Sequence, residues 1–201
     1  MNWGPRNVRR RVRCSILKSP LIVTAWLLVS APVMGACEQR QGGGDMSLYI
    51  KSSAFGHGEA IPARYTCDGE DVSPPLTWGE IPSGAKTLAL IMDDPDAPVG
   101  TWDHWILYNI PVNLEGLPEN YPAVGETPNG TRSGRNSWGR LGYGGPCPPS
   151  GTHRYFFRLY ALDRKLDLAP GATSGQVRAA MSGSILAEAE LYGTYRRARG
   201  R

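Results

Sequence analysis

Two six-residue runs, 87–92 and 105–110, decide most of what this chain can become. The first passes from Thr87 through Leu88, Ala89, Leu90 and Ile91 to Met92 with no polar alternation after its first residue. The second passes from Trp105 to Ile110 in the same way and is stopped by Pro111. Short apolar runs of this kind read as strands covered on both faces, and proline ends a ladder because it has no N–H to donate. Between them lie Asp94-Pro95-Asp96-Ala97-Pro98 and Trp102-Asp103-His104-Trp105. A segment holding carboxylates, a histidine and two indoles is thus anchored at both ends by rigid sheet, the setting of a small polar pocket with aromatic walls.

The rest of the body reads mostly as strands and long loops. Residues 47–51 and 61–66 are short strand candidates, the second leading into a turn at Cys67-Asp68-Gly69. In 152–162 the alternation puts His153, Tyr155, Phe157, Leu159 and Ala161 on one face and Arg154, Phe156, Arg158 and Tyr160 on the other. Residues 174–190 are the best helix candidate, with a stripe of Val177, Met181, Ile185 and Leu186 broken by Gly175 and Gly183 into one helix or two. Residues 111–150 are rich in Gly, Pro and Asn and read as an ordered covering loop, because so long a disordered insertion is rare in a small domain. Its densest part, 142–151, combines glycines that admit close backbone approach with prolines that hold the loop once placed.

The N-terminal region differs in kind. Residues 1–20 carry six basic and no acidic side chains, and 21–36 are apolar or small apart from Thr24 and Ser30. Residues 1–36 therefore read as an export signal, 37–45 as a short linker and 46–201 as one domain. Sixteen helical residues rise roughly 24 Å, short of the roughly 30 Å hydrocarbon layer, which makes a membrane span the weaker reading. Met34-Gly35-Ala36-Cys37 resembles a bacterial lipoprotein box, with Cys37 as the lipidation candidate. The expected location is the cell envelope, with membrane attachment only through that lipid. The alternative is a cytoplasmic protein initiated at Met46, just before the first strand candidate.

Charge narrows the partners. The whole chain is +4, but residues 1–45 hold seven basic and two acidic side chains, which leaves −1 for 46–201. A near-neutral body has no field for nucleic acid, and the Arg-rich end at 196–201 reads as a solvated tail. Cys67 and Cys147 can form a disulfide if the protein is exported. No zinc spacing, phosphate loop or dinucleotide fingerprint is present, and neither a metal nor a cofactor is expected. Ser137 and Ser150 lie in no nucleophile elbow. His57 reads as an exposed loop residue, and Trp78 and Trp138 as packing groups.

Several separate motifs then fall in the order of one family. Asp94-Pro95-Asp96-Ala97-Pro98, His104-Trp105, Gly145-Pro146-Cys147-Pro148-Pro149 and His153-Arg154-Tyr155 resemble the signature elements of phosphatidylethanolamine-binding proteins, also called Raf-kinase-inhibitor-like proteins. Residues 61–69 and 73–78 resemble the bacterial branch, and the likeness extends from 47 to 197. It implies a mainly β fold of two packed antiparallel sheets with short peripheral helices, and one small anion pocket at the sheet edge. The ligand-binding positions it implies are Asp94, Pro98, Trp102, His104, Pro148, Pro149, His153 and Tyr155, with Asp96 and Gly145 shaping the loop. The chain ends soon after Arg197, so a C-terminal helix that some members place beside the pocket is expected to be missing and the pocket more open.

Roles follow from side-chain chemistry. His104, His153 and the Tyr155 hydroxyl are expected to donate to a phosphate oxygen, with Asp94 accepting from a pocket histidine and Asp96 capping its loop. Non-catalytic binding of a phosphate-bearing or other small anionic ligand, with a regulatory role, is the expected function. The alternatives are an inhibitor of a protease or kinase acting on a protein partner, or a weak phosphoester or ester hydrolase.

Overall fold

The computed structural model describes residues 47–197; the export signal, the Cys37 lipidation box, the linker and the Met46 start lie outside the described residues. Among the described residues eight strands form two antiparallel sheets. The smaller is built from β1 (Tyr49–Lys51), β2 (Leu76–Gly79) and β5 (Gly116–Leu117), in the order β1-β2-β5. The larger contains β3 (Thr87–Asp94), β4 (Trp102–Ile110), β6 (Arg132–Ser133), β7 (His153–Leu162) and β8 (Ile185–Tyr195), in the order β6-β4-β3-β7-β8. Among the described residues one α-helix, α1 (Ser174–Met181), and one 3-10 turn at Ala63–Tyr65 accompany the strands.

The apolar runs read from the sequence are the middle of the larger sheet, and all eight residues of β3 are buried. One face carries Leu88, Leu90 and Met92 against the smaller sheet, in a core that includes Trp105, Phe157 and Trp78. The other carries Ala89 and Ile91 under α1, with Ile106, Val177 and Met181. A strand sandwiched this way has no solvent face, which is why its sequence shows no alternation. Trp78 is a packing group as expected, with Nε1–H donating to the Leu114 carbonyl.

Two expectations fail. Residues 61–66 form the 3-10 turn in place of a strand, because Pro62 has no N–H for a ladder and its carbonyl instead accepts from Tyr65 N–H. The second half of the 174–190 helix is strand: Gly183 sits at φ +72° and reverses the chain after Met181. Residues 185–195 then pair along the full length of β7. The helix that does form is fixed at its start by a capping box between Thr173 and Gln176.

Register decides where the polar residues at the ends of β3 and β4 point. Met92 pairs with Trp105 but Asp93 pairs with Asp103, so His104 is the extra residue of a β-bulge. Alternation alone would put His104 and Trp105 on opposite faces. The bulge brings His104 onto the Trp105 side, where Asp94, Trp102, His153 and Tyr155 also stand. Asp93 and Asp103 are left on the opposite face, where Asp93 pairs with Arg158 and Arg178 and Asp103 accepts from the Ser174 hydroxyl.

Candidate functional site

The polar ends of β3, β4 and β7 surround a cavity of about 290 Å³, lined among others by Asp94, Trp102, His104, Trp138 and His153. Pro98 and Pro149 contribute to its rim, together with Ala97, Val99 and Cys147. Of the expected ligand-binding residues, six line this space. Pro148 is buried and Tyr155 fully so, and both lie behind the lining residues.

Both imidazoles are fixed through Nδ1. His153 Nδ1–H donates to Asp94 Oδ2 at 2.7 Å, and His104 Nδ1–H donates to the Gly144 carbonyl at 2.6 Å. A carbonyl and a carboxylate only accept, so the Nδ1 proton is assigned from the partner in each case. Each Nε2 therefore remains for the cavity. The rings are further set by edge-on packing of His104 against Tyr155 and Trp138, at 5.2 and 4.9 Å between centroids. Burial pushes the His104 pKa down, the Gly144 hydrogen bond opposing it only in part. With the ring neutral, Nε2 presents a lone pair that can accept from a protonated oxygen, and with the ring charged it donates as expected.

Asp94 holds the loop as well as His153. Its Oδ1 accepts the Asp96 N–H at 2.9 Å, an Asx turn that starts the loop. Asp96 in turn does not cap its own loop. Its carboxylate takes the Arg154 backbone N–H at 2.9 Å and the guanidinium through Nε and Nη2 at 2.8 and 2.6 Å, clamping the loop to β7. These bonds to Arg154 pull the Asp96 pKa down to about 2. An unfolded aspartate titrates at about 3.9, so the clamp contributes stability above that value and loses it as pH falls through about 2. The Asp96 carboxyl carbon is expected to titrate by NMR with a midpoint near 2, moving the Arg154 amide with it. A midpoint at the ordinary value of about 3.9 would show that the clamp is not made in solution.

The Tyr155 hydroxyl is buried without a hydrogen-bond partner, as is Trp102 Nε1. Desolvation and the facing Asp94 carboxylate push the phenol pKa strongly up, so it stays a neutral donor. An unpartnered buried donor is costly, and Trp102 Nε1, on a residue that lines the cavity, marks a place where a ligand oxygen or an ordered water would be accommodated.

The loop beside the site is stapled by a disulfide between Cys67 and Cys147, with Cα atoms 5.4 Å apart. Gly144 N–H also donates to the His104 carbonyl at 3.0 Å, and Gly145 N–H to Asp71 Oδ1 at 2.6 Å. A Cβ on Gly145 would stand 2.5 Å from the Tyr65 carbonyl oxygen, which is why the loop can lie here only with glycine. Trp138, read as a packing group, is instead a cavity wall, 40% exposed and set edge-on to Trp102. The signal for it was the surrounding turn: buried Asn136 accepts the N–H groups of Trp138 and Arg140 on one Oδ1. Ser137 Oγ accepts the Asp103 N–H and faces no base.

Comparison with known proteins gives this arrangement its relatives. A family model described as phosphatidylethanolamine-binding protein matches residues 51–196. The chain belongs to the phosphatidylethanolamine-binding protein family. It is 58% identical over 150 residues to a UPF0098 protein of Methanothermobacter thermautotrophicus, covering 75% of this chain and 99% of the relative. Among crystal structures, a phosphatidylethanolamine-binding protein homolog from Chlamydia trachomatis superposes with a TM-score of 0.71 at 40% identity, covering 76% of this chain and 99% of that one. E. coli YbcL, described as a member of the mammalian family, gives 0.70 at 32% identity with the same coverage. The mainly β, two-sheet architecture is thus that of phosphatidylethanolamine-binding proteins, and membership points to ligand binding as the activity.

Proposed function

We propose that the cavity is a non-catalytic binding site for a small phosphorylated or similarly anionic ligand. The observation that carries this is the pair of imidazoles at one cavity, each fixed at Nδ1 and each with Nε2 left without a protein partner among the described residues. A proton at His153 Nε2 is balanced by Asp94 behind the ring and offers an N–H to a phosphate oxygen. His104 Nε2 accepts from a phosphate that still bears a proton, while Pro98, Trp102 and Trp138 enclose an apolar group. At about 290 Å³ the space sits at the low end of the roughly 300–1,000 Å³ of small-molecule pockets, which suits a headgroup or small metabolite. The lining of this cavity includes no serine, which favours binding over turnover there. A disulfide at the cavity wall supports export to an oxidising compartment.

Calorimetry with inorganic phosphate and phosphoethanolamine tests the reading. Joint His104→Gln and His153→Gln substitution is expected to weaken binding by more than about tenfold while circular dichroism stays unchanged. Affinity is expected to fall as pH rises from about 5 to 8, as the phosphate loses the proton that His104 Nε2 accepts. Undiminished binding in the double variant overturns the proposal.

A further inference from the structure

We propose that the site continues past Trp138 into a second chamber, in which Arg140 holds a carboxylate at the far end of the phosphorylated ligand. This rests on the reading of the first cavity as a phosphate site. The second chamber is about 210 Å³ and shares Trp138 and Cys147 with the first, so the two spaces adjoin at the indole and the disulfide. Its remaining walls are Asp71, Arg140, the Gly144–Gly145 backbone and Cys67.

Charge makes the case for a second contact. The first cavity is lined by no lysine or arginine, and Arg140 is the one such residue lining either chamber. Its guanidinium lies over the Trp138 ring at 5.7 Å and meets no carboxylate in an ion pair among the described residues. Stacking on the indole leaves the edge of the planar fork to bond, the geometry that matches a carboxylate.

The presentation is rigid. Asn136 accepts from the Trp138 and Arg140 amides at 3.1 Å each, and its own N–H donates to the Arg140 carbonyl at 2.8 Å. Asn136 Nδ2 donates onward to the Gly142 carbonyl, joining this turn to the loop that holds His104. The indole therefore keeps its place relative to both imidazoles. A Cβ on Gly144 would stand 2.7 Å from the Trp138 ring, so the indole rests directly on backbone.

Asp71 decides the class of the second group. Its Oδ1 is engaged by Gly145 N–H, but its charge remains in the chamber and disfavours a dianion there. A monoanionic carboxylate meets Arg140 at a smaller penalty than a second phosphate would.

Calorimetry at constant ionic strength with 3-phosphoglycerate and glycerol 3-phosphate, which differ in carboxylate against hydroxymethyl, tests this. Wild-type protein is expected to bind 3-phosphoglycerate about fivefold more tightly, the worth of one partly exposed charged pair. Arg140→Gln is expected to remove that preference and leave glycerol 3-phosphate unchanged, and Arg140→Lys to restore it only in part because it lacks the fork. Equal binding of the two by wild-type protein, or a preference that survives Arg140→Gln, overturns the second chamber alone. Failure of both compounds to bind, or indifference of both to His104→Gln with His153→Gln, overturns the phosphate reading and this proposal with it.

Discussion

Reduction of the Cys67–Cys147 disulfide is expected to lower the stability of the protein by about 4 kcal/mol. The bond closes a loop spanning 80 positions, and the entropy that such a cross-link removes from the unfolded chain grows with the logarithm of loop length. The native loop has other ties. The Cys67 N–H donates to the Pro146 carbonyl at 3.2 Å, the Tyr143 hydroxyl to the Tyr65 carbonyl at 2.6 Å, and Gly145 N–H to Asp71. The reduced protein is therefore expected to keep its cavity while its unfolding midpoint falls. Urea titrations of oxidised, reduced and Cys67→Ser/Cys147→Ser protein measure this, and the two sulfur-free or reduced forms should coincide. A loss below about 1 kcal/mol would show that the unfolded chain is already constrained near these positions.

How much of this was legible before the structure depends on the range of the interactions involved. The central strands were legible because burial on both faces is written locally, in unbroken apolar runs such as 87–92. The strand of β8 was not, because two periods compete in one segment. Val177, Met181 and Ile185 keep helical spacing, while Ala187, Ala189 and Leu191 alternate with Glu188 and Glu190 at the period of a strand. The turn at Gly183 separates them, and the pairing partner lies on β7. The site residues on 94–104 and 145–155 came from motif resemblance, and the residues around His104 show its limit. The bulge that turns His104 toward the cavity is a property of cross-strand register, and the Gly144 carbonyl that sets its tautomer is 40 positions away. Trp138 was missed for a related reason: an isolated tryptophan looks like core unless the Asn136 turn that holds it at the surface is known.

His153→Leu is expected to destabilise the protein by about 3 kcal/mol, and adding Asp94→Leu is expected to recover most of that loss. The two side chains form a pair with only 9% and 5% of their surface exposed. Removing the imidazole leaves a buried carboxylate without its partner, with the Asp96 N–H still bonded to it and the Tyr155 hydroxyl close by. Removing both members exchanges the ion pair for apolar packing beside Trp102 and Pro98, a change that is commonly neutral or better. The residue of the cost, about 1 kcal/mol, is the lost turn bond to Asp96 N–H. Asp94→Leu alone should fall between, since it leaves a buried imidazole N–H without its acceptor but no unpaired carboxylate. Urea unfolding of the four proteins gives the coupling energy directly, and phosphate binding should be lost wherever His153 is replaced. A double variant no more stable than His153→Leu would show that the pair stabilises the fold. Recovery of stability without recovery of binding would show that the pair is retained for the ligand, at a cost the fold does not require.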